Sequence, residues 1–169
     1  MHITFTNMNY YELYNLQPKP VFAKDEISKT YIALQRKYHP DFSMDADETE
    51  KENLLQLSAD VNKAYQTLTN TDASLFYFLK EKGIITADEK YQLPPDFLME
   101  MMELNEELDE GTTTDSSSKI QEAIEKLEAS TNLHNCSADT LYTAESLADL
   151  KSFYYKKKYL LRILDRLGD

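Results

Sequence analysis

An imidazole and a carboxylate flank a proline at His39-Pro40-Asp41. Proline fixes the backbone there and removes an N–H donor, so a rigid tip displays both polar side chains. Lys29, Arg36 and Lys37 lie just upstream. Counted in helical steps, positions 29, 33, 36 and 37 share one face. A basic stripe therefore leads to a fixed His/Asp tip in a chain whose formal net charge is -12. This pattern is a docking surface for an acidic partner, and complementary charge speeds association.

A second constellation lies between Asp96 and Glu110, with seven acidic residues and no basic one. Phe97, Met101, Leu104 and Leu108 recur as a core stripe. Leu98, Met99 and Met102 fall on another side, which continues into Glu103, Glu106 and Glu110. An apolar patch, partly of methionine, running into carboxylates suits a partly unfolded or adaptable partner. On composition alone, a bundle that surrounds the helix and buries all these apolar residues remains open.

Other chemistry finds little support. His2, His39 and His134 do not pair at metal-ligand spacing, and His134 with Cys136 makes only one close pair. The carboxylates of 96–110 recur at i, i+3 and i+4, but no histidine joins them, so a solvated acidic face is expected. Lys156-Lys157-Lys158 also reads as a solvated face. There is no glycine-rich phosphate loop and no Ser/His/Asp arrangement. No metal and no cofactor are expected.

The elements that must hold these residues are helices. With 3 Gly and 5 Pro in 169 residues, long helices are easy and multi-turn β architectures are disfavoured. Tyr10 to Leu16 reads as a short first helix, closed by Pro18 and Pro20. Ile27, Tyr31, Leu34 and Tyr38 mark a second helix over about 24–38, with Asp25 and Glu26 in its first turn and Pro40 ending it. An acidic loop containing Asp45, Asp47, Glu48, Glu50 and Glu52 follows. A third helix then buries Leu54, Leu57, Val61, Ala64, Tyr65 and Leu68, antiparallel to the second. Asn70-Thr71-Asp72 is a break, and a fourth helix over 75–82 is capped by Gly83. A connector precedes Pro95, which can open a helix at N1. That helix runs to about Glu110. Gly111 to Ser118 reads as a turn, and Ile120, Ile124 and Leu127 mark the next helix. A loop over 132–139 leads to a long last helix with Leu147, Leu150, Phe153, Leu160, Leu164 and Leu167 on one side. The fold class is all-α: an antiparallel helical unit over 1–83, a connector over 84–95, and a three-helix bundle over 96–169.

A hydrophobic content of 41%, with 12 Tyr and 7 Phe, suffices for a packed core. The negative charge makes nucleic acid a poor partner. One cysteine excludes an internal disulfide and fits a reducing compartment. The first residues have neither a basic nor an apolar signal region, and no apolar run approaches the roughly 20 residues of a membrane span. A cytoplasmic location is expected.

Leu34-Gln35-Arg36-Lys37-Tyr38-His39-Pro40-Asp41 and Asn62-Lys63-Ala64-Tyr65-Gln66-Thr67-Leu68 follow a short element, a basic helix and an amphipathic helix in order. Together they resemble the J domain of DnaJ-type co-chaperones. J domains bind the ATP state of a DnaK-type chaperone and stimulate its ATP hydrolysis. The resemblance implies that His39, Pro40 and Asp41 drive stimulation and that Lys29, Arg36 and Lys37 dock. The chemistry would occur in the partner, so the chain would not be an enzyme.

Phe97-Leu98-Met99-Glu100 followed by Glu106-Glu107-Leu108-Asp109-Glu110 is similar to the HscB family, J-type co-chaperones of iron–sulfur cluster assembly, and the similarity extends over essentially the whole chain. In that family the corresponding patch binds the scaffold protein IscU and presents it to the chaperone HscA. The resemblance carries this role onto Leu98, Met99, Met102, Glu103, Glu106 and Glu110, with Phe153 on the last helix completing the patch. Where the family often has an Arg-Ala pair near the start of the fourth helix, this chain has Ser74-Leu75.

Overall fold

The computed structural model describes residues 9–38, 47–86, 89–109, 113–131, 133 and 142–168, the side chains of 107–109, 113–115 and 168 apart. These form seven helices and no strands among the described residues. They fall into two compact units, residues up to Phe78 and residues from Leu79 onward.

The first unit opens with α1 (Tyr10–Tyr14). Five residues make a marginal helix, and caps hold it. The Asn9 side chain accepts the Glu12 N–H at 2.9 Å, and the Glu12 carboxylate accepts the Asn9 N–H at 3.1 Å, a reciprocal capping box. Asn15 ends the helix in the left-handed region at φ 51°, where Asn is tolerated. Tyr11 and Tyr14 bury their rings at 2% exposure. The Tyr14 hydroxyl donates to the Val61 carbonyl at 2.8 Å.

The two long helices are α2 (Lys24–Tyr38) and α3 (Glu48–Thr69). The helix α3 begins earlier than the acidic loop suggested: Asp47 is its N-cap, accepting from the Glu50 N–H at 2.8 Å. Glu48 and Glu50 lie in its first turn, where the dipole favours them. Ordered contacts make α2 and α3 antiparallel. Ser28 pairs with Tyr65 at 3.2 Å, and the Tyr31 hydroxyl and the Gln35 amide both donate to Asn62 at 2.9 Å. The Tyr31 and Tyr65 rings lie 4.3 Å apart. On the side of this pair facing α1, Ile27, Val61, Ala64 and Leu68 join Tyr11, Tyr14 and Phe22 in one core. Fully burying a side chain such as Ile27 stabilises by about 1.5–3 kcal/mol.

The helix α4 (Thr71–Glu81) starts four residues before the expected 75, because the Asn70 side chain accepts the Ala73 N–H at 2.9 Å and caps it. Ser74 and Leu75 are both buried, at 0% and 1% exposure. Gly83 ends the helix at φ 69°. The Gly83 and Ile84 N–H groups donate to Lys80 and Leu79 carbonyls at 2.9 Å, which satisfies orphan carbonyls of the last turn.

The second unit holds α5 (Pro95–Asp109), α6 (Thr113–Ala129) and α7 (Ala144–Gly168). Phe97, Met101, Ile120, Ile124 and Leu160 form its core. The polar run assigned to a turn over 111–118 is helical from Thr113, and Ser116 is buried at 3% exposure. The expected solvated lysine run also differs. Lys157 is 7% exposed and pairs with Glu128 at 2.8 Å, because it lies three and four residues from Leu160 and Phe153 on the inner face of α7. The preceding segment is fastened to α7: Lys151 donates to the Ile84 carbonyl at 2.9 Å and to Glu89, and Tyr91 stacks on Tyr155 at 4.4 Å. Burial raises the Tyr155 pKa, with the Glu89 carboxylate adding to it.

Candidate docking surfaces

In α2 the buried Ile27 and the partly buried Tyr31, Leu34 and Tyr38 recur at helical spacing and turn toward the core. The opposite face is therefore solvated. Lys29, Ala33, Arg36 and Lys37 are all exposed on α2, so the basic residues read from the sequence share the outer side of one helix. Lys37 sits with its ammonium 4.8 Å above the Tyr38 ring, a cation–π contact that draws it toward the helix end. His39, Pro40 and Asp41 lie outside the described residues. They directly follow Tyr38, the last residue of α2.

Tyr14 and Tyr65 anchor this hairpin from inside. Burial drives the Tyr14 hydroxyl well above its ordinary pKa, with Tyr31 and Tyr65 adding to the shift. It stays protonated and keeps donating to Val61 throughout the neutral range.

The helix α5 divides its apolar residues by angle. Phe97 and Met101, four apart, are buried at 5% and 6% exposure. Leu98, Met99 and Met102 are 40%, 62% and 64% exposed. At 100° per residue they cover the outer flank, and Glu103 and Glu106 continue it toward the C-terminus, both exposed. The arrangement in which every apolar residue of this helix is core is thereby excluded for these three. Glu110 lies outside the described residues.

Phe153 does not join this patch as an accessible side chain. It is 4% exposed, on the α7 face that carries Leu150, Lys157 and Leu160 at spacings of three, four and seven. Its position makes it packing for the bundle.

Two exposed apolar residues escaped sequence reasoning: Ile32 at 52% and Leu55 at 61% exposure. Each stands one position off the stripe of its helix, Ile32 after Tyr31 and Leu55 after Leu54. That offset was the available signal. Among the described residues no group of three or more His, Cys, Asp or Glu side chains could hold a metal ion, and no helix is long and apolar enough to cross a membrane.

Residues 9–77 match the family described as the DnaJ domain, and residues 93–168 match the HSCB C-terminal oligomerisation domain. The helical hairpin with its basic face, and the bundle that follows, thus define a J-domain co-chaperone. The Co-chaperone protein HscB homolog of Shewanella halifaxensis (strain HAW-EB4) is 33% identical over 174 residues, covering 96% of this chain and 100% of that protein. The HscB homolog of Vibrio vulnificus (strain YJ016) is 36% identical over 104 residues, so that match spans only 61% of the relative's length. The crystal structure of human co-chaperone protein HscB superposes with a TM-score of 0.73 at 25% identity, over 96% of this chain and 81% of that one. Chaperone HscB from Vibrio cholerae gives 0.56 at 29% identity, over 95% and 99%. The chain belongs to the HscB co-chaperone family, which is not an enzyme family.

Proposed function

We propose that this co-chaperone binds an IscU-type iron–sulfur scaffold protein through α5 and delivers it to an Hsp70-type chaperone of the DnaK/HscA kind, whose ATPase it stimulates. The observation that carries the reading is the outer flank of α5. Leu98, Met99 and Met102 stay exposed while Phe97 and Met101 on the same helix are buried. Exposing large apolar side chains is unfavourable unless a partner covers them, and thioethers adapt to an irregular client surface.

Glu103 and Glu106 extend this flank as the polar rim of the scaffold site, and Glu110 is assigned to the same rim. At the other site, Lys29, Arg36 and Lys37 dock an acidic surface of the chaperone, and His39, Pro40 and Asp41 trigger hydrolysis in that partner. The J-domain match over residues 9–77 supports the chaperone half of the reading. The chain itself would carry no cofactor, and the nascent cluster would travel on the scaffold. A cytoplasmic location belongs to the same reading, supported by the single cysteine.

The test is a steady-state ATPase assay of a DnaK/HscA-type chaperone with the full chain and an IscU-type scaffold, together with a pull-down of the scaffold. The expected result is stimulation by the chain and direct capture of the scaffold. Capture with no stimulation would remove the chaperone half; stimulation with no capture would leave a J-protein serving another client.

A further inference from the structure

The second unit holds an open groove among α5, α6 and α7, with a volume of about 510 Å³. Its floor is apolar: Phe97, Met101 and Leu160 are buried, and Leu104, Ala123 and Leu127 are partly buried. Its walls are charged and differ in sign. Glu100 and Glu103 stand on the α5 wall. Lys119 and Lys126 stand on the α6 wall with Glu122 between them. Lys156 reaches in from α7, its ammonium 5.4 Å from the centroid of the Phe97 ring.

Helix α5 joins this groove to its own exposed flank. At roughly 100° per residue, a circuit of α5 passes Met102 and Met99, then Glu103, then Glu100, and reaches Leu104 and Phe97. Only two carboxylates, both exposed, separate the methionines from the groove floor. Glu103 belongs to both surfaces, because it edges the flank and also lines the groove. A partner that covers Met99 and Glu103 therefore meets the groove as it continues round the helix.

We infer that the IscU-type scaffold also fills this groove, with an amphipathic helical segment. Its apolar side chains lie on the floor, its cations face Glu100 and Glu103, and a carboxylate faces Lys119 and Lys126. The inference rests on the scaffold reading and extends the site from α5 onto α6. Lys119 and Lys126 are seven residues apart, about 10 Å along the helix. Two turns of a partner helix, with apolar residues at i, i+3 or i+4 and i+7, span that length. The opposite signs of the two walls fix the direction of the segment. Laid in reverse, it would set its carboxylate against Glu100 and Glu103 and its cations against the lysines, which costs affinity. A second copy of this chain offering its own α5 flank would bring Glu103 and Glu106 against Glu100 and Glu103, so charge disfavours that occupant.

The experiment is a calorimetric titration of the IscU-type scaffold into the full chain, at low and at high ionic strength. The variants are Ala123→Phe, which fills the floor, and Lys126→Glu, which reverses one exposed wall charge. Ala123→Phe should raise Kd by about tenfold or more at both salt concentrations. Lys126→Glu should raise it about three- to tenfold at low salt, as expected for reversing one exposed charge, and less at high salt. Stimulation of the chaperone's ATPase without scaffold should be unchanged in both, because the J domain lies in the other unit. Melting temperatures should match the unsubstituted chain; if Ala123→Phe melts lower, Lys126→Glu decides alone. Scaffold affinity equal to that of the unsubstituted chain in either normally folded variant would overturn the groove while leaving the α5 flank intact. No scaffold binding by the unsubstituted chain would overturn the scaffold reading and the groove with it.

Discussion

Replacing Met99 and Met102 together with alanine separates a docking surface from a core. Their exposures are 62% and 64%, so a partner that covers them gains most of the transfer free energy of two large side chains. Full burial of one such side chain is worth about 1.5–3 kcal/mol. Taking the exposed fraction, and the methyl that alanine retains, the pair should lose roughly 2–3 kcal/mol of binding, or about 30- to 150-fold in Kd. Stability should change by less than about 0.5 kcal/mol, as for most exposed sites. Met101→Ala is the counterpart: at 6% exposure it should cost about 2–5 kcal/mol of stability. Isothermal titration calorimetry against an IscU-type scaffold reads the first effect, and urea unfolding reads the second. A Kd for the Met99/Met102 pair within about twofold of the unsubstituted chain would rule out α5 as the docking surface. So would a loss of stability as large as that of Met101→Ala.

Phe153→Ala should lower stability by about 3–5 kcal/mol, the range for a buried phenylalanine, in urea unfolding; a variant that unfolds normally and only loses scaffold affinity would restore Phe153 as a contact. Lys157→Met should preserve the melting temperature better than Lys157→Ala in calorimetry, because methionine keeps the buried stem while Glu128, 42% exposed, remains solvated. Tyr14→Phe tests the raised pKa of that hydroxyl. With the folded pKa above the unfolded value of about 10, the contribution of Tyr14 is fully present below pH 10 and is lost as pH rises through the folded pKa. The unsubstituted chain should therefore lose stability above pH 10 more steeply than Tyr14→Phe, by up to about 1.4 kcal/mol per pH unit, and parallel curves in pH-dependent urea unfolding would exclude the effect.

Much of the fold was legible because its signals are local. Ile27, Tyr31, Leu34 and Tyr38 repeat at helical spacing, and α2 runs over the expected Lys24–Tyr38. Pro95 opens α5 and Gly83 caps α4 at positive φ. The errors came where one residue type serves two roles. Acidic residues after Asp45 read as loop, yet Asp47 is a cap and Glu48 and Glu50 fill a first turn. Serines after Gly111 read as a turn, yet Ser116 packs inside the bundle. Lys157 looked solvated because three consecutive lysines point around a helix; its Glu128 partner comes from a different helix, and no sequence spacing announces it.

The site residues divide in the same way. Leu98, Met99 and Met102 could be separated from Phe97 and Met101 by angle alone. Phe153 could not be assigned so, because both a core residue and a docking residue fit its spacing, and only the packing of α7 decides. Ile32 and Leu55 were overlooked because a stripe-based reading credits apolar residues that fit the period and passes over those beside it.

The most direct test of the account compares His39→Gln with the unsubstituted chain in a single-turnover ATPase assay of a DnaK/HscA-type chaperone. The substitution directly follows Tyr38, the last residue of α2. His39→Gln should show an unchanged melting temperature, undiminished scaffold binding and no stimulation of ATP hydrolysis. Stimulation by His39→Gln equal to that of the unsubstituted chain would contradict the chaperone reading.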